Sequence, residues 1–193
     1  MARFLPALLV LAALGGLAAF FVSGCGSSES PPPPVAAAPP QSAALGWEER
    51  SPETGPALIF RVRRFAVTKQ GWEAGVAVEN RTGIAWEMGE DPVAVEQSFG
   101  IMLFATGELD EVERRSRDGD LPGLRPAQEF DPRLPVRLAA GSSWQGVVSA
   151  RGSLAAGRYV RVVFGPLIAV GDPPDDMPAQ FVWITDHAYR LHD

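Results

Sequence analysis

Cysteine is nearly absent from this sequence, since Cys25 is the only one among 193 residues. No disulfide can form within the chain, and a blue-copper site or a cysteine-ligated zinc site would lack its thiolates. The two histidines, His187 and His192, further restrict metal binding and acid–base catalysis. A domain of about 150 residues buries roughly 68–70% of its unfolded surface. A stable core can therefore form by packing alone.

Basic residues are also scarce. Lys69 is the only lysine, and the formal net charge is −6. Nucleic acids reward Lys and Arg, so this balance argues against a nucleic-acid-binding protein. It also predicts no second, electrostatic contact with anionic lipids. We attribute the excess of arginine over lysine to codon usage in a GC-rich genome rather than to recognition.

A long apolar run occurs at the start of the chain, where Arg3 precedes the segment 4–22. A basic residue, an apolar stretch and small residues before a cut site indicate an export signal. The sequence Val22-Ser23-Gly24-Cys25 resembles the lipobox of bacterial lipoproteins. The resemblance implies cleavage after Gly24, a lipid on the Cys25 thiol, and acylation of the new amino terminus, for instance with palmitate.

An uncleaved transmembrane anchor is the alternative interpretation of this run. Its length is near the roughly 20 residues that span a bilayer, although Gly15-Gly16 weakens a helix at its centre. Under both interpretations the chain is exported and attached to a membrane. We expect it on the outer face of the cell membrane, or on the periplasmic face of an envelope membrane.

Composition divides the chain into three parts: a signal peptide (1–24), a lipidated linker rich in Pro, Ser and Ala (25–45), and a folded domain (46–193). The linker carries four consecutive prolines at 31–34. Such a composition cannot build a core and predicts a disordered, extended segment. At ~3.1 Å per residue, ~20 residues reach up to ~60 Å from the membrane.

Short strands follow from Leu58 onward. The clearest alternation is at Trp72, Ala74, Val76 and Val78, with polar or small residues between them. The apolar parity changes at Arg63-Arg64, which predicts a β-bulge or a bend where the strand changes sheets. The segment 99–105 is apolar on both faces and predicts a central strand.

Two segments interrupt this pattern. Residues 108–117 predict one short helix, and residues 121–135, which contain four prolines, predict a long loop. Further strands are expected at 136–138, 144–150, 159–164, 167–170 and 181–185, most of them separated by glycine turns. The fold class is therefore all-β: an antiparallel sandwich with one short helix in a long loop.

The segments 76–80, 99–104 and 138–147 resemble the immunoglobulin-like modules found on many bacterial lipoproteins of unknown function. The resemblance covers about two-thirds of the expected domain. It implies an immunoglobulin-like β-sandwich. The buried tryptophan and disulfide pair that marks many immunoglobulin domains has no counterpart in this chain.

Catalytic residues can be sought at Asp186-His187, which could form a nucleophilic site with Ser142 or Ser143. A Gly-x-Ser-x-Gly nucleophile motif is absent from the sequence. His192 lies near the end of the sequence, where chains fray. An envelope hydrolase that uses His187 and Asp186 is therefore the alternative function.

Two other kinds of site can be considered. Calcium accepts oxygen ligands of the kind offered by Asp172, Asp175 and Asp176, although solvated turns explain these residues better. Five tryptophans could contact a sugar or a protein. Alternation assigns Trp72, Trp86 and Trp183 to the core. Trp47 and Trp144 are the only candidates for exposure, and core or edge packing is favoured for them too.

The main functional hypothesis is a lipid-anchored, non-catalytic module of the cell envelope. It needs no cofactor and binds a protein or a wall polymer through loops at one end of the sandwich. The alternatives are the hydrolase above and a structural module of an envelope complex.

Overall fold

The computed structural model describes residues 35–88 and 99–193. The predicted signal peptide, the lipidation site Cys25 and most of the predicted linker lie outside the described residues. Within them, no helix has both the length and the hydropathy needed to cross a bilayer.

The described residues form one α-helix and twelve β-strands. They are β1 (Gln41–Ser51), β2 (Leu58–Val67), β3 (Gly71–Asn80), β4 (Ala85–Glu87), β5 (Phe99–Phe104), α1 (Leu109–Asp118), β6 (Arg125–Pro126), β7 (Glu129–Asp131), β8 (Arg137–Leu138), β9 (Ser143–Arg151), β10 (Tyr159–Val170), β11 (Gln180–Ile184) and β12 (Tyr189–Arg190).

Two antiparallel sheets pack face to face. The first sheet has the order β1-β2-β3-β9-β7, and the second has the order β6-β5-β10-β4-β8, with β11 and β12 also pairing with β10. The predicted all-β antiparallel sandwich with one short helix is confirmed. The helix begins and ends one residue later than predicted.

The apolar side of β3 faces the core, as its alternating sequence predicts. Trp72, Ala74, Val76 and Val78 are buried between the sheets. The register of β2 against β3 shifts between Val62 and Arg64, so the predicted bulge is present. The alternative of a strand that changes sheets is wrong, because β2 pairs with β3 on both sides of the bulge.

The core is built around aromatic side chains from both sheets. Phe164 of the second sheet contacts Phe60 of the first at 5.0 Å between ring centroids, and it contacts Phe99 of its own sheet at 5.2 Å. Trp86 is fully buried, as predicted. Each such side chain contributes about 1.5–3 kcal/mol on burial. This packing compensates for the lack of a disulfide in the domain.

A second, smaller core lies on the outer face of the second sheet. Met102, Phe104 and Val163 point outward there, and Val112 of α1 packs against them. The helix is amphipathic, with charged residues on its solvent side. It therefore shields one outer face of the sandwich from water.

Three boundaries differ from the sequence predictions. The predicted loop at 121–135 contains the strands β6 and β7; both lie at sheet edges, where a proline costs no ladder hydrogen bond. The two strands predicted at 159–164 and 167–170 form the single strand β10. Gly165, with φ 108°, forms an irregularity inside β10 instead of a turn.

The third difference is the linker boundary, because β1 begins at Gln41 instead of after residue 45. Its small residues suit a strand: Ala43 pairs with Phe65 and is only partly exposed. An isolated bridge joins Ala37 to Ala155. The sandwich therefore includes residues that composition alone assigned to the linker.

The strands run between two ends of the sandwich, which we call the entry end and the far end. The chain enters at the entry end, which comprises residues 35–41, 68–71, 151–158 and 189–193. The far end comprises the loops 52–57, 81–84, 139–143 and 171–179. Hydrogen bonds tie neighbouring loops together at each end, such as Gly152 N–H to Gln70 O at the entry end and Gly141 N–H to Asn80 O at the far end.

Candidate functional site

A polar cluster joins the two sheets along one side of the sandwich. It forms where β1, an edge strand of the first sheet, faces β11 and the 185–188 loop of the second sheet. Alternation along β1 points Glu49 inward, opposite Phe60 on β2. The Glu49 side chain is only 6% exposed. We call this cluster the Glu49 seam and define it by Trp47, Glu49, Trp183, Asp186 and His187.

The Glu49 carboxylate accepts hydrogen bonds from three residues of the second sheet. Trp183 Nε1–H donates to Oε2 at 2.7 Å, and the Asp186 backbone N–H donates to Oε1 at 2.9 Å. His187 donates from its backbone N–H at 3.2 Å, and its ring Nδ1 lies 2.8 Å from Oε1. A buried carboxylate is stable only when it is paired in this way. Glu49 is therefore a cross-link between the sheets.

His187 is the exposed member of the seam, with 54% of its side chain accessible to solvent. A carboxylate only accepts hydrogen bonds, so Nδ1 carries the hydrogen in the contact with Glu49. The ring also stacks on Trp47, with centroids 5.5 Å apart and an interplanar angle of 21°.

Arg161 supports the same loop from the outer face of the second sheet and is fully buried. Its Nη1 donates to the carbonyl oxygens of Thr185, at 2.6 Å, and of Asp186, and its Nη2 donates to Gly107 O at 2.7 Å. The guanidinium also lies 5.7 Å from the Phe104 ring centroid. Burial lowers the pKa of Arg161.

Asp186 lies between these two charged groups. Partial desolvation raises the pKa of its carboxyl group, and the nearby Glu49 carboxylate raises it further. The carboxylate in contact with the His187 ring is nevertheless Glu49, and not its chain neighbour Asp186. Sequence reasoning placed a carboxylate beside His187 but assigned it to the wrong residue.

The predicted nucleophiles lie elsewhere. Ser142 Oγ donates to Ala139 O at 2.7 Å, within the turn that precedes β9. Ser143 lies on β9 and pairs with Glu79 on β3. In the order β1-β2-β3-β9, three strand spacings separate Ser143 from β1. At ~4.8 Å each, these spacings amount to ~14 Å. His187 and these serines therefore form no nucleophile–base pair.

The tryptophans follow the prediction except at Trp183, which the alternation assigns to the core. Trp144 is buried, while Trp47 is half-buried in the seam. Trp183 is also half-buried, stacked on Phe60 at 5.2 Å. Of the two candidates for exposure, Trp47 alone retains an accessible surface of any size.

The acidic loop does not assemble a calcium site. Asp172, Asp175 and Asp176 are exposed. Within 35–88 and 99–193, no group of three or more His, Cys, Asp or Glu side chains converges on a position that could hold a metal ion. The loop is instead fixed by Met177, which is buried and donates its N–H to Pro174 O at 2.9 Å.

Sequence reasoning missed Glu49 and Arg161. Arg161 had a detectable signal, since it is the only charged residue in the otherwise apolar run 159–164. Glu49 had none, because it stands in the polar run Glu48-Glu49-Arg50. No protein-family model, curated protein or solved structure matches the chain, so its function has to be argued from these residues.

Proposed function

We propose that this chain is a lipid-anchored protein of the cell envelope whose β-sandwich is a non-catalytic interaction module. The anchor is argued from the sequence, where the apolar run ends on Val22-Ser23-Gly24-Cys25. The immunoglobulin-like assignment and the partner class, a protein or a wall polymer, are part of the same proposal.

The hydrogen bonding of Glu49 is the observation that supports a non-catalytic module. Both of its oxygens accept bonds from Trp183, Asp186 or His187, and these bonds join the two sheets. A catalytic carboxylate–histidine pair needs a nucleophile or a substrate cleft beside the histidine. The Ser142 and Ser143 region lies across the sheet instead. The seam is therefore better explained as a structural cross-link that replaces a disulfide.

The partner surface in this proposal is the far end. Its loops protrude from a rigid sandwich, which is the usual arrangement for binding loops. The ordered chain enters at the opposite end, so the far-end loops are free of the attachment. Asn80 fixes this surface from within, because its side-chain Nδ2–H₂ donates to the carbonyl oxygens of Ile84, Leu138 and Ala139 at 2.8–3.1 Å.

A photo-crosslinking residue placed at Thr54, in the far-end loop 52–57, tests this surface in native cells. The matched control is Gln145, which is exposed on the outer face of the first sheet. We expect a specific adduct from position 54 and none from position 145. Equal adducts from both positions would contradict the assignment of the partner surface to the far end.

The anchor has its own test. Cys25→Ala should abolish incorporation of a radioactive fatty acid and block cleavage after Gly24. A lipid chain supplies about 0.8 kcal/mol of membrane affinity per buried CH₂. Equal labelling of the variant and the parent would refute lipidation at Cys25.

The hydrolase alternative is favoured by one observation: the His187 side chain is 54% exposed and its Nδ1 lies 2.8 Å from the buried Glu49 carboxylate. The test is ester or peptide turnover by the purified chain, compared between His187→Ala and the control His192→Ala. We expect no turnover in the parent chain. Turnover that disappears only in His187→Ala would replace the interaction module with the enzyme.

A further inference from the structure

The entry end of the sandwich is basic, although the chain as a whole is acidic. Five basic residues lie there: Lys69, Arg125, Arg151, Arg158 and Arg190. Arg125 joins the group because its Nη1 donates to Ser153 O at 3.1 Å. Asp193 is the acidic residue of the same segments, and Glu108 adds one more beside Gly107, which lies against the Tyr159 ring.

Within the described residues, none of these five side chains takes part in an ion pair. On the first sheet, Arg61, Arg64 and Arg81 each contact a glutamate at 2.9 Å or less, whereas Arg50 and Arg63 take part in no ion pair with the residues described. The five charges of the entry end are available to an external anion, and they are distinguished by lying together at one end of the sandwich.

The far end has the opposite charge. Its loops carry Glu53, Asp172, Asp175 and Asp176, against two basic residues: Arg81, which is paired with Glu79, and Arg50, whose Nη2 donates to Gly55 O at 2.8 Å. The strands that separate the two ends hold them at fixed positions. The domain is therefore electrically polarised along its strands, a property that a net charge of −6 does not reveal.

The segment that connects the sandwich to Cys25 joins the sandwich at the basic entry end. Ala37, which bridges to Ala155, lies twelve positions after Cys25. At a maximum of ~3.5 Å per residue, this segment spans no more than ~42 Å. A lipid on Cys25 would thus hold the basic end at a high effective concentration above the membrane.

We propose that the entry end docks on the anionic headgroups of the membrane to which the chain is attached, with the far end directed outward. The inference rests on the membrane attachment in the proposed function and adds the orientation of the domain. It replaces the expectation from net charge that anionic lipid plays no part. Near an anionic surface each Lys or Arg contributes about fivefold to binding.

The test uses the full-length chain reconstituted into vesicles. Ser153→Cys places a thiol at the entry end, and Thr54→Cys places one at the far end as the control. Lipidation of Cys25 leaves the introduced thiol as the only one that can carry an environment-sensitive fluorophore. Vesicles contain neutral phosphatidylcholine alone, or about one-third phosphatidylglycerol.

We expect headgroup contact of the label at position 153 only in anionic vesicles, and none at position 54. The contact should be lost in ~1 M salt, where the Debye length is about 3 Å. The triple variant Lys69→Gln, Arg151→Gln, Arg190→Gln should weaken docking about a hundredfold. The matched triple variant Arg63→Gln, Arg117→Gln, Arg133→Gln removes the same charge elsewhere and should leave docking unchanged. Equal melting temperatures of both triple variants and the parent would establish that the fold is intact.

Contact at position 153 that is equal in neutral and anionic vesicles would overturn the proposal, as would equal loss in the two triple variants. A label response to soluble polyphosphate, with none to anionic vesicles, would also overturn it and assign the basic end to a soluble polyanion. Flotation with neutral vesicles reports the anchor separately. A chain that floats only with anionic vesicles would refute lipid anchoring while supporting the docking surface.

Discussion

Replacement of Glu49 by alanine should destabilise the domain far more than replacement of its chain neighbour Glu48. Glu49→Ala leaves Trp183 Nε1–H, two backbone N–H groups and the His187 ring without their acceptor. A buried donor left without its acceptor costs about 1–3 kcal/mol. Water can reach His187, so the Trp183 and Asp186 donors account for most of the loss, and we expect a total of about 3 kcal/mol.

For a domain of this size, 1 kcal/mol corresponds to about 2–4 °C in melting temperature. Glu49→Ala should therefore lower the melting temperature by about 6–12 °C at neutral pH, as measured by calorimetry or circular dichroism. Glu48 is 59% exposed and pairs with Arg61 at 2.6 Å. Exposed pairs contribute about 1 kcal/mol or less, so Glu48→Ala should shift the midpoint by no more than about 4 °C.

Equal shifts in the two variants would refute the reasoning, since they would mean that the Glu49 carboxylate carries no more stability than a surface pair. Hydrogen exchange gives a second readout. The Asp186 and His187 amides should lose protection in Glu49→Ala, while amides in β3 keep theirs. Retained protection at 186 and 187 would show that the loop does not depend on this carboxylate.

Three further outcomes are expected. Trp86→Ala should cost about 3–5 kcal/mol, because the ring is fully buried and its Nε1–H donates to Thr82 Oγ1 at 3.0 Å; a melting temperature within about 2 °C of the parent would contradict this. Asp186→Asn should raise the melting temperature at pH 7, because the raised pKa of the Asp186 carboxyl group makes its ionisation unfavourable in the folded state. This gain should vanish at about pH 3, where the carboxyl group is protonated in both the folded and the unfolded state. Calcium and EDTA should both leave the melting curve unchanged, whereas a calcium-dependent rise would support binding at Asp172, Asp175 and Asp176.

The local sequence pattern was sufficient to predict the elements whose conformation depends only on neighbouring residues. The alternation of β3, the bulge after Val62 and the helix α1 could all be predicted from neighbouring residues. Each depends on which face of one element is apolar. The sandwich class then follows, because two half-apolar sheets must cover each other.

The features that were missed depend on distant partners. Glu49 is stabilised by residues more than 130 positions away, so its own neighbours carry no sign of burial. Gly165-Pro166 has the composition of a turn, yet β10 continues through it. β5 pairs with the residues before it, β4 with those after it, and β11 with residues on both sides. The start of β1 was hidden for the same reason, since pairing with β2 orders a segment whose composition favours a linker.

The reciprocal contacts of Gln41 have a mechanical consequence. Gln41 Nε2 donates to His192 O at 3.2 Å, and Gln41 Oε1 accepts from His192 N–H at 3.0 Å, where the chain enters the sandwich. A partner that pulls on the far end while the lipid holds the other would load β1 along its own axis. The nine residue pairs between β1 and β2 would then be sheared together instead of being opened one by one. Gln41 and Glu49 share that load between the sheets. Gln41→Ala should therefore lower the rupture force when a single molecule is pulled between the far end and the amino-terminal attachment. An unchanged rupture force would show that other contacts bear the load.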